Sequence, residues 1–143
     1  MKKLPSRWHE KYLGIPWAGV PHYPDTLSCG ELCRVALKEQ AGIDTPIIQV
    51  PDAMVLKDCL KALKPELYGF EPVEGEPQNL DVAWLGRRLM IDHVGLGVET
   101  PNGIMILHCQ QGSDVHLDTL AQIRALGYSK VLWYRHREAS CLK

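Results

Sequence analysis

Two short apolar runs separated by a cluster of turn-forming residues constrain this chain more than any other feature. His93-Val94-Gly95-Leu96-Gly97-Val98 and Ile104-Met105-Ile106-Leu107-His108-Cys109 flank Thr100-Pro101-Asn102-Gly103, a pattern that reads as an antiparallel hairpin. Period-two alternation sends Val94, Leu96 and Val98 to one face, the core side, and His93, Gly95 and Gly97 to the other. Two glycines inside a strand mark a place where another backbone or a ligand comes close. With residues 100–103 as a four-residue loop, Gly95 lies opposite His108, and His93 stands one diagonal step away on the same face, about 7 to 8 Å between backbones. A three-residue loop would reverse that facing.

The remaining elements follow from caps and periodicity. Leu4, Trp8 and Tyr12 recur at spacings of four and predict a short amphipathic helix ending at Gly14. Residues 15–25 hold three prolines and several aromatics and form an extended loop. Ser28-Cys29-Gly30-Glu31 fits a capping box, with Ser28 as N-cap, Cys29 as the first helical residue and Glu31 reaching back. Leu32, Val35 and Ala36 make that helix's buried stripe, and Gly42 ends it. A second helix is expected from the cap Asp52 through Val55, Leu56, Cys59, Leu60 and Leu63 to Pro65. Strands are expected near 80–85, 92–99, 104–109 and 131–136, and Asp118 is expected to cap a helix carrying Leu120, Ile123 and Leu126. Helices first and strands later argue for an α+β fold in a single domain over 1–143, with residues 1–25 as an N-terminal helix and an aromatic, proline-rich loop.

Composition removes several function classes. Sixteen Lys and Arg against 17 Asp and Glu leave a formal charge of -1, so no overall positive field exists to hold nucleic acid. No apolar run approaches the roughly 20 residues that span a bilayer, and no signal core follows the first residues, so we expect synthesis in the bacterial cytoplasm without a signal peptide and no membrane insertion. Five cysteines, Cys29, Cys33, Cys59, Cys109 and Cys141, are an odd number without a CxxC pair, which suggests neither a disulfide framework nor a zinc ribbon.

Cys29 is the residue placed for chemistry. The first position of a helix sits at the positive end of the macrodipole beside unpaired N–H groups, which stabilises a thiolate and lowers a cysteine pKa from its usual value of about 8.5. Cys33, Cys59 and Cys109 read as small buried hydrophobes. A reactive thiol needs a base, for which His93 is the candidate, and His108 would orient it. Cys29, His93 and His108 are then nucleophile, base and orienter for thiol acyl transfer.

These segments resemble a known family. Ser28-Cys29-Gly30-Glu31-Leu32 is similar to the Asp-Cys-Ser-Gly-Leu nucleophile segment of NlpC-type cell-wall cysteine peptidases, in particular their phage-tail branch. Leu80-Asp81-Val82-Ala83 resembles the family's Gly-Asp-Leu, His93-Val94-Gly95-Leu96 its His-Val-Gly-Ile, and Leu107-His108-Cys109 its second-histidine strand. Tyr12-Leu13-Gly14-Ile15-Pro16-Trp17 and Trp133-Tyr134-Arg135-His136 extend the likeness over most of the chain. The resemblance implies a papain-like fold, N-terminal helices packed on a small antiparallel sheet. It implies hydrolysis of amide bonds in peptidoglycan stem peptides, of the D-glutamyl-diamino acid type, by a thiol protease without a cofactor. It further implies a Cys29–His93–His108 triad and a location in the phage tail or at the cell wall, beside other tail proteins. Trp17, Ser28, Gly30 and Gly95 would border the substrate. Ser28 stands where the family has Asp, and Leu80 where it has Gly.

Two other classes compete. Cys29, His93 and His108 are also zinc ligand types, although they are scattered over separate elements. Alternatively Trp8, Trp17, Tyr23, Trp84 and Trp133 could make a non-catalytic recognition surface for a wall glycan or a tail protein. Arg87-Arg88 could meet a substrate carboxylate but reads more simply as a solvated turn. His22, His116 and His136 sit in no pattern that assigns them a role.

Overall fold

The computed structural model describes residues 4–46, 68–87 and 90–139. One antiparallel sheet dominates them. Its strands are β1 (Phe70–Pro72), β2 (Val82–Arg87), β3 (Met90–Thr100), β4 (Gly103–Cys109), β5 (Val115–Thr119) and β6 (Lys130–His136), in the order β1-β6-β2-β3-β4-β5. Two α-helices accompany it, α1 (Cys29–Ala41) and the single-turn-scale α2 (Leu120–Ala125). This corrects the expected α+β, papain-like arrangement of N-terminal helices on a small sheet: the described residues form a β-rich fold. The physical reasons are local. The predicted first helix is only a 3-10 turn over Trp8–Tyr12, because Arg7 before it is left-handed (φ 61) and supplies no side-chain cap. The helix expected over 52–65 lies outside the described residues. Two strands, β1 and β5, join the expected four.

The central hairpin forms in the expected register. Thr100 pairs with Gly103 and Leu96 with Leu107, leaving Pro101 and Asn102 as the turn. Gly103 takes φ +107, which a side chain would resist, and Thr100 Oγ1 donates to the Gly103 carbonyl at 2.6 Å. Between β2 and β3 the pairing runs Leu85 with His93 and then Gly86 with Ile91, a bulge beside His93. Such irregularities bend a strand and re-aim the neighbouring side chain.

Side-chain alternation divides the interior in two. Val82, Trp84, Val94, Leu96, Val98, Leu107 and Cys109 face α1, packing with Cys29, Leu32, Cys33, Val35 and Ala36. Ala83, Leu85 and Ile106 face the other way, onto Ile123 of α2 and Tyr128. α1 begins as expected at Ser28, whose Oγ accepts from the Glu31 N–H at 3.2 Å. The reciprocal half of the capping box is absent because the Glu31 carboxylate turns to Arg34. Gly42 ends the helix at φ 68.

Asp81 fastens β2 to β6. It is fully buried, accepts two hydrogen bonds from Arg135, each 2.8 Å, and a third from the Gln78 N–H at 2.8 Å. The residue before it, Leu80, is buried in the left-handed region at φ 69, a conformation that suits glycine and strains leucine. Removing Asp81 would leave Arg135 unpaired at the sheet. Asp81→Ala is therefore expected to destabilise the fold by about 3 to 5 kcal/mol, read as a lowered denaturant midpoint. A loss below about 1 kcal/mol would show the pair to be a surface-grade contact.

Candidate functional site

The chemistry-bearing side chains gather where β3, β4 and β5 lie side by side. The register that pairs Leu96 with Leu107 puts His93 and His108 on the same face of neighbouring strands. Their rings meet edge to face with centroids 5.1 Å apart, and His93 Nε2 lies 2.9 Å from His108 Nδ1. On the far side of that ring, His108 Nε2 lies 2.7 Å from Asp118 Oδ2. His108 pairs directly with His116 across β4 and β5, and Asp118 follows two residues later on the same face.

Hydrogen-bond direction along this line follows from its acidic end. An ionised Asp118 only accepts, so His108 Nε2 carries a proton and donates it. A neutral His108 then offers a lone pair at Nδ1, and His93 must donate to it from Nε2. What remains on His93 is an unprotonated Nδ1. The line thus fixes a single tautomer of His93, as an orienting residue does for a general base.

The surroundings keep His93 neutral. Its ring stacks on Tyr128 at 5.3 Å between centroids, and the Arg87 guanidinium covers the same Tyr128 ring at 4.3 Å. Burial, followed by the nearby charges of His108, Arg87 and His116, pushes the His93 pKa down to about 3. His108 is also lowered, by burial, with the Asp118 hydrogen bond opposing the shift.

Gly95 explains how the two rings come so close. A Cβ there would meet Ile106 Cγ2 at 2.7 Å, the Leu107 carbonyl at 2.9 Å and His108 Cβ at 3.2 Å. The neighbour admitted by this glycine is β4 itself. At Gly97 the space is taken by the Gln78 carbonyl and Trp133.

Cys29 lies at the start of α1, which packs against β3 and β4. Its place is in the core cluster with Val94, Leu107 and Cys109, whereas the His93 ring lies on Tyr128, which belongs to the other cluster. The segment leading into it is pinned. Leu27 N–H donates to the Pro16 carbonyl at 3.0 Å, Ala18 N–H to the Leu27 carbonyl at 2.9 Å, and Cys109 Sγ to that same carbonyl at 3.3 Å. The start of α1 is thereby tied to the residue that follows His108. Trp17 belongs to this segment, bridging to Leu27 and donating its N–H to the Ser113 carbonyl at 2.9 Å. Ser28 acts as the cap, and Gly30 is buried in the first helical turn. Burial, and the neighbouring Cys29, push the Cys33 thiol well up, while burial takes Cys109 to about 12. Both stay protonated at neutral pH. Cys59 and Cys141 lie outside the described residues.

The structure therefore joins His93 to His108 and adds Asp118, His116, Tyr128 and Arg87, to which the sequence reading gave no part in this line. Asp118 is not the helix cap: it lies in β5, and Thr119 caps α2 in a full capping box with Gln122. The signal was present in Val115-His116-Leu117-Asp118-Thr119, whose alternation puts His116 and Asp118 on one strand face. Among the described residues, the donors close enough to share one metal ion are His108, His116 and Asp118, within 4.8 Å of one another. That group includes neither Cys29 nor His93.

No family model matches the chain, and no curated protein matches it.

The buried neutral imidazole has a consequence for stability. An unfolded His93 titrates near 6.5 and the folded one at about 3, so its contribution is present above pH 6.5 and is lost progressively as the pH falls toward 3. The groups facing it are His108, His116, Arg87 and the Tyr128 ring. Thermal unfolding between pH 7 and 4 should show stability dropping by about 1 kcal/mol per pH unit from this group. His93→Gln should flatten the slope. An unchanged slope in that variant would contradict a buried, neutral His93.

Proposed function

We propose that this chain is a cysteine-type hydrolase that cleaves amide bonds in peptidoglycan stem peptides, of the D-glutamyl-diamino acid type, in the service of a phage tail. The observation that carries the reading is the hydrogen-bonded line from Asp118 through His108 to His93, which leaves a lone pair on His93 Nδ1. The order of residues supports it too: a cysteine at a capped helix start, then two strand histidines. α1, which opens with Cys29, packs on the face of β3 and β4 that carries Val94 and Leu107, whereas His93 lies on the other face against Tyr128, so the proposed catalysis requires the thiol and His93 to be brought together when substrate binds. The choice of wall peptide and tail comes from the likeness of the segments around Cys29, Asp81, His93 and His108 to the NlpC-type peptidases.

In this mechanism the Cys29 thiol passes its proton to His93 Nδ1 as Sγ attacks the carbonyl carbon of the scissile amide. The backbone N–H at the start of α1 holds the oxyanion that forms. The imidazolium of His93 then protonates the leaving amine, the C–N bond breaks, and a thioester remains on Cys29. Water, deprotonated by the now neutral His93, hydrolyses that thioester and returns the thiol. Since burial disfavours a charged His93, proton transfer accompanies attack instead of preceding it as a stored ion pair. Asp118 offsets the charge that appears on the rings during the transfer, through His108.

Purified protein incubated with wall fragments should generate new amino termini. Cys29→Ala and His93→Ala should each lower kcat/KM by a factor of about 100 or more. Asp118→Asn should lower kcat by roughly a hundredfold at similar KM, because an amide can offer an N–H to His108 and turn the line around. Normal cleavage by either Cys29→Ala or His93→Ala would refute the reading.

A further inference from the structure

His116 is the part of this cluster that the hydrolase mechanism leaves unused. Its Nδ1 lies 3.1 Å from the Asp114 carbonyl oxygen, an atom that only accepts, so Nδ1 carries a proton and donates. Its other ring nitrogen, Nε2, lies 3.1 Å from Asp118 Oδ2. A cation at this point would satisfy both the imidazole nitrogen and the carboxylate oxygen.

The surrounding geometry is that of a metal site. His108 and His116 are direct cross-strand partners with ring centroids 4.4 Å apart, and Asp118 places one oxygen against both rings, at 2.7 and 3.1 Å. Each ring is held from behind at its other nitrogen, His116 by the Asp114 carbonyl and His108 by His93. Metal-ligating histidines are oriented in this way. Tetrahedral zinc with ligand bonds of about 2.0 to 2.1 Å needs its ligand atoms about 3.3 Å apart; Asp118 Oδ2 lies 2.7 and 3.1 Å from the two histidine nitrogens, and all three donor atoms fall within 4.8 Å of one another. The His116 side chain is 31% exposed and Asp118 15%, so the cluster is reached from solvent.

We propose that His108, His116 and Asp118 bind one divalent transition-metal ion of the zinc class, and that its binding turns off His93. The second half follows from proton bookkeeping. A metal on His108 Nε2 takes the lone pair there and displaces the proton that Asp118 accepted. Neutral His108 must then carry its proton at Nδ1, which it receives from His93 Nε2. His93 in turn takes up a proton from water at Nδ1. The two rings keep the same number of protons, but the hydrogen bond between them is reversed and the unprotonated nitrogen of His93 now faces His108. Any proton on His116 Nε2 leaves to solvent. A reversible inhibitory site results, without the metal touching the thiol.

The inhibitory half rests on the hydrolase reading; the binding half does not. The experiment titrates the full chain with Zn²⁺ by calorimetry, checked by competition with a chromogenic chelator, and repeats this on Cys29→Ala, His116→Ala and His116→Gln. One ion per chain is expected, with affinity retained in Cys29→Ala and weakened at least tenfold in both His116 variants. Circular dichroism confirms that the variants are folded. Wall-fragment cleavage should fall as the site fills, and the zinc needed for half inhibition should rise at least tenfold in His116→Gln. Binding that vanishes in Cys29→Ala, or that survives both His116 substitutions, would overturn the site, as would the absence of binding at micromolar zinc. If the ion binds as described yet no cleavage is ever detected, the metal site stands and the hydrolase reading falls.

Discussion

A hydrogen-bonded line of three side chains, Asp118 to His108 to His93, is the interaction on which the candidate site depends. It is built almost entirely by strand register. β3, β4 and β5 each contribute to it, and a slip of one residue in any pairing would turn that strand's member toward α1 and break the line. The turn at Pro101 and Asn102, with Thr100 bonded across to Gly103, holds the first pairing. Gly95 lets β4 approach β3 closely enough for the two rings to touch. Asp81, locked to Arg135, closes β2 onto β6 and keeps the sheet intact on the other side.

Burial determines how such a line works. In the interior an imidazolium is costly, and His93 is stacked on an aromatic ring that is already covered by a guanidinium. His93 is therefore a neutral imidazole with its proton position set by its neighbours. Helix α1 contributes separately, through the field at its first turn and through the pinned segment that begins it. Cys29 at the helix start and His93 in the sheet thus lie on opposite faces of β3 and β4, and the hydrolase proposal requires them to meet at the substrate carbonyl.

Several of these features were legible in the residues alone. The hairpin register followed from four turn-forming residues between alternating runs, and the start of α1 from a serine followed by glutamate three positions later. Elsewhere local signals misled. Leu4, Trp8 and Tyr12 have helical spacing, yet Arg7 enters the left-handed region and only a 3-10 turn forms. Asp118 resembles a helix cap, yet cross-strand pairing with β4 claims it and Thr119 caps instead. Missing β5 also meant missing His116 and the acidic end of the line. The same omission, with that of β1, made the described residues look poorer in strand than they are, because strands of three and five residues are easily read as connections between longer elements. Gly95 was legible as a close approach, but residue type does not say whether a ligand or a neighbouring strand is what approaches.

The tautomer of His93 is the point on which the account turns, and it can be observed directly. Long-range proton–nitrogen correlation spectra of metal-free protein carrying nitrogen-labelled histidine report which ring nitrogen bears the proton. At neutral pH the account predicts that His93 and His108 both carry it at Nε2, with an unprotonated Nδ1 on His93. A proton on His93 Nδ1, with Nε2 as the acceptor from His108, would contradict it.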